Sequence, residues 1–93
     1  MDRLDARIAG RVQGVYFRAH ARKQAIALGL SGIVRNCADG CVETIAEGTR
    51  DALEQYAAWL HHGPSAAQVT RVTVNWSHAR GEFTQFEVAP DAS

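Results

Sequence analysis

From residue 4 to residue 12 the chain alternates. Leu4, Ala6, Ile8, Gly10 and Val12 fall on one side, and Asp5, Arg7, Ala9 and Arg11 on the other. A period of two predicts a half-buried strand. Gln13-Gly14-Val15 interrupts it, and Phe17, Ala21, Ala25 and Leu28 then recur at helical spacing, with Gly29 placed to close the helix. Residues 31–36, carrying Ile33 and Val34, predict a short second strand, and Ala38-Asp39-Gly40 a hairpin turn. Val42, Thr44 and Ala46 line one face of a third strand, with Glu43 and Glu47 on the other. Thr49 is placed to cap a second helix marked by Leu53, Tyr56, Ala57 and Leu60, with His61 and His62 in its last turn and Gly63-Pro64 ending it. Thr70, Val72, Val74 and Trp76 share a face of a strand over 68–76, and residues 83–88 predict a short final strand.

The order is β-α-β-β-α-β plus a short fifth strand. Two crossover helices and one hairpin predict an α+β fold of the ferredoxin-like, split βαβ kind: two helices on one face of a mostly antiparallel sheet. In that arrangement the first two strands are parallel, with the third between them. Their ends bring residues 13–18 and residues 35–36 to one sheet edge, about 10 Å apart at roughly 4.8 Å per strand, within reach of an arginine.

Composition narrows the function more than the fold. The 93 residues, read as one domain over 1–93, carry ten Lys+Arg and ten Asp+Glu, a formal net charge of zero. A balanced chain argues against nucleic-acid or anionic-membrane binding through bulk charge, but not against a small anion held locally. The β-α-β-β-α-β order is shared with RNA-recognition modules. Those stack bases on aromatics of the central strands, and residues 4–12 and 41–47 contain none. No apolar run of membrane-spanning length is present, and charges interrupt the N-terminal stretch where a signal peptide needs apolar residues. A cytoplasmic location is therefore expected; a monomer is expected as well. Cys37 and Cys41 are too few for a disulfide scaffold, and no second Cys/His pair stands at zinc-finger spacing. They are read as thiols, a transient cross-turn disulfide being the alternative.

The stretch from Gly10 to Arg18, GRVQGVYFR, runs from a strand through a tight turn into a helix. Free N–H groups at a helix start attract anions, Gly14 permits a concave backbone nest, and Arg18 adds a permanent charge with a fork suited to phosphate oxygens. Alone this pattern is common. Together with a second block, LGLSGIVRN over 28–36 followed by DGCVE over 39–43, it resembles the signature of the acylphosphatases. Ala46-Glu47-Gly48, Trp59, Gly63-Pro64, residues 69–76 and Phe86-Glu87-Val88 resemble the family too, so the likeness covers nearly the whole chain.

The resemblance implies a ferredoxin-like fold and hydrolysis of acyl phosphates to a carboxylate and inorganic phosphate. It implies Arg18 as the phosphate-binding residue, Asn36 as the residue orienting the attacking water, and the backbone of Gln13, Gly14, Val15, Tyr16, Phe17 and Arg18 as the phosphate-binding loop. No metal and no cofactor is expected. Acylphosphatase-like domains also occur fused to larger hydrogenase-maturation enzymes; 93 residues leave no room for such a partner domain, which favours the stand-alone enzyme. Tyr16 stands where the family often has Gly, and Ile33 where it often has Trp; Tyr16 would narrow the loop mouth and alter substrate preference. The remaining polar residues are read blandly. His20, about 200° round the helix from Arg18, should face solvent, and Arg35 and the Glu43/Glu47 pair should form solvated faces. Trp59 and Trp76 should serve packing.

Overall fold

The computed structural model describes residues 1–92. Its elements are β1 (Asp2–Arg11), α1 (Phe17–Ala27), β2 (Ser31–Asn36), β3 (Val42–Gly48), α2 (Arg50–Leu60), β4 (Gln68–His78) and β5 (Phe86–Val88). The sheet order is β4-β1-β3-β2-β5. β3 runs antiparallel to both β1 and β2, so β1 and β2 are parallel to each other and finish at one edge. β4 adds antiparallel to β1, and β5 adds parallel to β2. This is the ferredoxin-like α+β sandwich that the order of elements predicts.

Alternation supplies the core. Leu4 and Ile8 of β1, Val34 of β2 and Val42 of β3 are fully buried beneath Phe17, Ala21 and Ala25 of α1 and Leu53, Tyr56 and Leu60 of α2. Phe17 packs on Trp59, ring centres 5.4 Å apart, and so ties α1 to α2. Thr44 is the polar residue in this layer. Its hydroxyl donates to the Ile33 carbonyl and accepts from the Tyr56 hydroxyl, both at 2.8 Å, which satisfies each buried group. Burial pushes the Tyr56 phenol far above its usual range. The helix ends follow the sequence signals. Gly29 takes φ 73° just past α1, and the Thr49 side chain accepts from the Ala52 N–H at 3.2 Å to cap α2. α2 ends at Leu60 with His61 as its cap, so His61 and His62 stand just past the last turn and not within it as the sequence predicts.

Two strands depart from the expected pattern. The β1–β4 ladder slips between Ala9, opposite Arg71, and Gly10, opposite Val69. Thr70 is the extra residue of a bulge, so it is exposed and Val69 turns inward in its place. Gly10 holds φ 124°, and a Cβ there would run into the Gln68 carbonyl and the Thr70 nitrogen, neither of which can swing aside. Gly10→Ala should therefore destabilise the protein by about 2 kcal/mol and lower its melting temperature by roughly 10 °C; thermal unfolding followed by circular dichroism checks this. The last strand is also shorter than expected. Residues 83–85 lie outside the ladder because they belong to a return loop.

That loop changes the reading of Glu47. Instead of joining a solvated face, Glu47 is 5% exposed. Its carboxylate accepts from the backbone N–H groups of Arg80 and Gly81, at 2.8 and 3.0 Å, and from Arg3 at 3.2 Å. Arg3, equally buried, donates also to Asp5 and Glu82. Burial alone would raise the Glu47 pKa. The two N–H donors and the Arg3 guanidinium outweigh it and hold the carboxyl below its ordinary 4.5. The folded value is the lower one, so this stabilisation is complete above the unfolded pKa and is lost as pH falls through the folded value. In urea unfolding at about pH 7 and about pH 3, Glu47→Gln should show a smaller loss of stability on acidification than the unmodified protein. Glu43 is half-buried rather than solvated; it pairs with Arg35 at 2.7 Å and Arg7 at 3.7 Å.

Candidate active site

The segment after β1 is fixed from both sides. Val12 and Val15 are buried in the core. Between them, the Gln13 side-chain amide donates to the carbonyls of Cys37 and Cys41, each at 2.9 Å. Those two residues close the β2–β3 hairpin, where the Cys37 N–H also meets the Cys41 carbonyl at 2.9 Å. The Asp39 carboxylate accepts from the Cys41 N–H, and that bond together with Arg7 holds its pKa below the ordinary value. Gln13 thus binds the loop after β1 to the turn after β2.

The loop itself is concave. Gly14 (φ 74°) and Tyr16 (φ 63°, ψ 24°) are both left-handed, with Val15 between them. Tyr16 is the cap residue of α1 and makes no side-chain capping bond. Among the described residues, no backbone N–H from Gly14 to Ala19 is hydrogen-bonded within the protein. Unpaired N–H groups in a concave turn at the positive end of a helix are an arrangement that attracts anions. Left-handed backbone costs a tyrosine of order 1–3 kcal/mol, so the turn is held against its own preference. A side chain at Gly14 would meet nothing within 4 Å. Only its φ, and not crowding by neighbouring atoms, argues for glycine there.

Arg18 stands in the first turn of α1. One guanidinium nitrogen, Nη1, donates to Asp91 Oδ1 at 3.1 Å. The tail reaches that point because it continues along β2 after β5: the N–H groups of Ala89 and Ala92 donate to the carbonyls of Val34 and Asn36, each at 2.9 Å. Asn36 ends β2 and is 9% exposed. Its side-chain oxygen Oδ1 is buried and has no hydrogen-bond partner among the described residues. A buried acceptor left unpaired costs about 1–3 kcal/mol and calls for a water or a ligand. Gly14, Tyr16, Phe17, Arg18 and Asn36 line one cleft of about 440 Å³, with Val12 and Val88 as apolar walls.

Of the residues singled out in the sequence, Arg18, Asn36, Gly14, Tyr16 and Phe17 meet at this cleft. Gln13 and Val15 do not line it; the first is a clamp and the second a core residue. His20 is exposed and lies outside the cleft. Among the described residues, no group of three His, Cys, Asp or Glu side chains is placed to hold a metal ion, and Cys37 and Cys41 are free thiols. No helix among these residues is long and apolar enough to cross a membrane.

Comparison with known proteins decides the family. The acylphosphatase family model matches residues 4–88. The chain belongs to the acylphosphatase family. It is 48% identical over 82 residues to the acylphosphatase of Pelotomaculum thermopropionicum, covering 88% of this chain and 89% of that one. It is 46% identical over 91 residues to the acylphosphatase of Methylococcus capsulatus, covering 98% and 99%. The crystal structure of acylphosphatase from Bacillus subtilis superposes with a TM-score of 0.92 at 32% identity, over 96% of this chain and 99% of that chain.

Within this acylphosphatase fold, sequence reasoning missed three features of the cleft and its supports. They are the Gln13 clamp, the apolar wall of Val12 and Val88, and Asp91 beside Arg18. Alternation could have found Val12, which ends the inward row of β1. Nothing local marks Asp91; only the pairing of the tail with β2 brings it to α1.

Proposed function

We propose that this cleft hydrolyses the carboxyl–phosphate bond of acyl phosphates to a carboxylate and inorganic phosphate. One observation carries the reading: the buried, unpartnered Oδ1 of Asn36 shares a cleft with Arg18 and with unpaired backbone N–H groups. These are the parts that an in-line phosphoryl transfer to water needs.

In this mechanism the nonbridging phosphoryl oxygens rest on the N–H groups of residues 14–18 and on Arg18. Only Nη1 of Arg18 is engaged by Asp91, which leaves the rest of the fork for phosphate. Asn36 Oδ1 accepts from a water and turns its lone pair toward phosphorus. The new water–phosphorus bond forms as the bond from phosphorus to the acyl oxygen breaks, and the carboxylate leaves with the electron pair. A carboxylate needs no proton from the enzyme as it leaves. The water's proton passes to a phosphoryl oxygen, because an amide is no base. Catalysis then rests on positioning and on charge met by preorganised donors. The same reading takes 1–93 as one domain acting as a cytoplasmic monomer on a small substrate, with neither nucleic acid nor membrane and without a metal or cofactor.

The test is turnover of benzoyl phosphate by the purified protein with a chelator in excess. Activity unchanged by the chelator is expected, and it should be nearly flat from about pH 5.5 to 8 apart from ionisation of the substrate phosphate itself, since the mechanism gives no side chain the part of general acid or base. Activity abolished by the chelator, or restored only by an added cation, would contradict it.

A further inference from the structure

Tyr16 lines the cleft, yet its side chain does nothing visible for the fold. It is 80% exposed, although it is a large apolar ring. It holds φ 63°, where a glycine would rest without strain. Among the described residues its hydroxyl makes no hydrogen bond, and the ring pairs, Phe17 with Trp59 and Tyr56 with Phe86, do not include it. Val88, 42% exposed on the edge strand β5, lines the same cleft. Four large apolar residues are notably exposed among those described, and two of them meet here. A cleft of about 440 Å³ is far larger than a phosphoryl group needs; clefts of roughly 300–1,000 Å³ hold whole small organic ligands.

We propose that Tyr16 and Val88 form the acyl subsite and that the substrates favoured are acyl phosphates with an uncharged, aromatic acyl group. The proposal rests on the acyl-phosphate reading above and adds the class of acyl group. With the phosphoryl group in the nest and on Arg18, the acyl portion extends toward the mouth, where Tyr16 and Val88 stand. An aromatic acyl group stacks on the Tyr16 ring and covers Val88. An anionic acyl group would meet apolar walls and the Asp91 carboxylate at the rim. A small acyl group such as acetyl reaches neither wall.

The experiment compares kcat/KM for benzoyl phosphate with that for acetyl phosphate. Tyr16→Gly removes the ring and accepts the left-handed backbone, so the turn is not forced to rearrange. In this variant the benzoyl-to-acetyl ratio should fall by roughly three- to tenfold, the worth of one aromatic contact, through KM more than kcat. Tyr16→Phe should keep the ratio. Val88→Thr, nearly the same shape but polar, should lower it in the same direction. Dividing the two substrates cancels any loss common to both, so a merely damaged loop does not move the ratio. An unchanged ratio in Tyr16→Gly, with both substrates turned over, overturns this proposal alone. Turnover of neither substrate by the unmodified protein overturns the acyl-phosphate reading and this proposal with it.

Discussion

Arg18→Gln should lower turnover of an acyl phosphate by about 10³-fold or more, the scale on which arginines act in phosphoryl transfer. Glutamine keeps much of the length and can donate a hydrogen bond, but it carries no charge to oppose the phosphoryl oxygens. Binding of inorganic phosphate as a competitive inhibitor should weaken in parallel, because in the proposed mechanism the same guanidinium meets product and transition state. Stability should hardly move. The ion pair with Asp91 is lost, but those side chains are 37% and 64% exposed, and such pairs contribute about 0–1 kcal/mol. Steady-state kinetics and urea unfolding of one preparation decide the matter. Turnover within tenfold of the unmodified protein would remove Arg18 from the mechanism.

Asn36→Ala should divide the same measurements differently. With no amide to hold the water in line, kcat should fall by roughly 10²- to 10³-fold, while inhibition by inorganic phosphate changes little. Stability should stay nearly level, because Oδ1 has no hydrogen-bond partner among the described residues for the substitution to break. A variant that lost phosphate affinity as much as turnover would place Asn36 on the phosphoryl group instead of the water.

The meeting of the two segments that carry these residues was legible in the sequence for a physical reason, whereas the roles of Arg18 and Asn36 come from the family resemblance. The alternation over 4–12 and 31–36 and the helix between them define two parallel strands with a third between, and that topology alone brings the segment after β1 to the end of β2. Glu47 was illegible because it lies on the outward face of β3 by alternation. The return loop at Arg80 and Gly81 covers it from over thirty residues away. Thr70 was illegible because a bulge inverts alternation without any local mark except Gly10 on the neighbouring strand. Asp91 depends on a tail whose pairing with β2 has no periodic signature. Tyr16 was visible as a departure from glycine, but its left-handed backbone and its exposure were not.

The crossed order of the strands has a consequence for how the molecule matures. β1 is made first but finds its partners only later, in β3 at residues 42–48 and β4 at residues 68–78. β5, which completes the wall beside Arg18, follows all of these strands. Pairings between such distant segments close slowly, because loop entropy is lost before contact energy is gained. A chain emerging from the ribosome therefore carries the loop of residues 13–18 long before that loop has a cleft, whose Val88 wall comes only with β5.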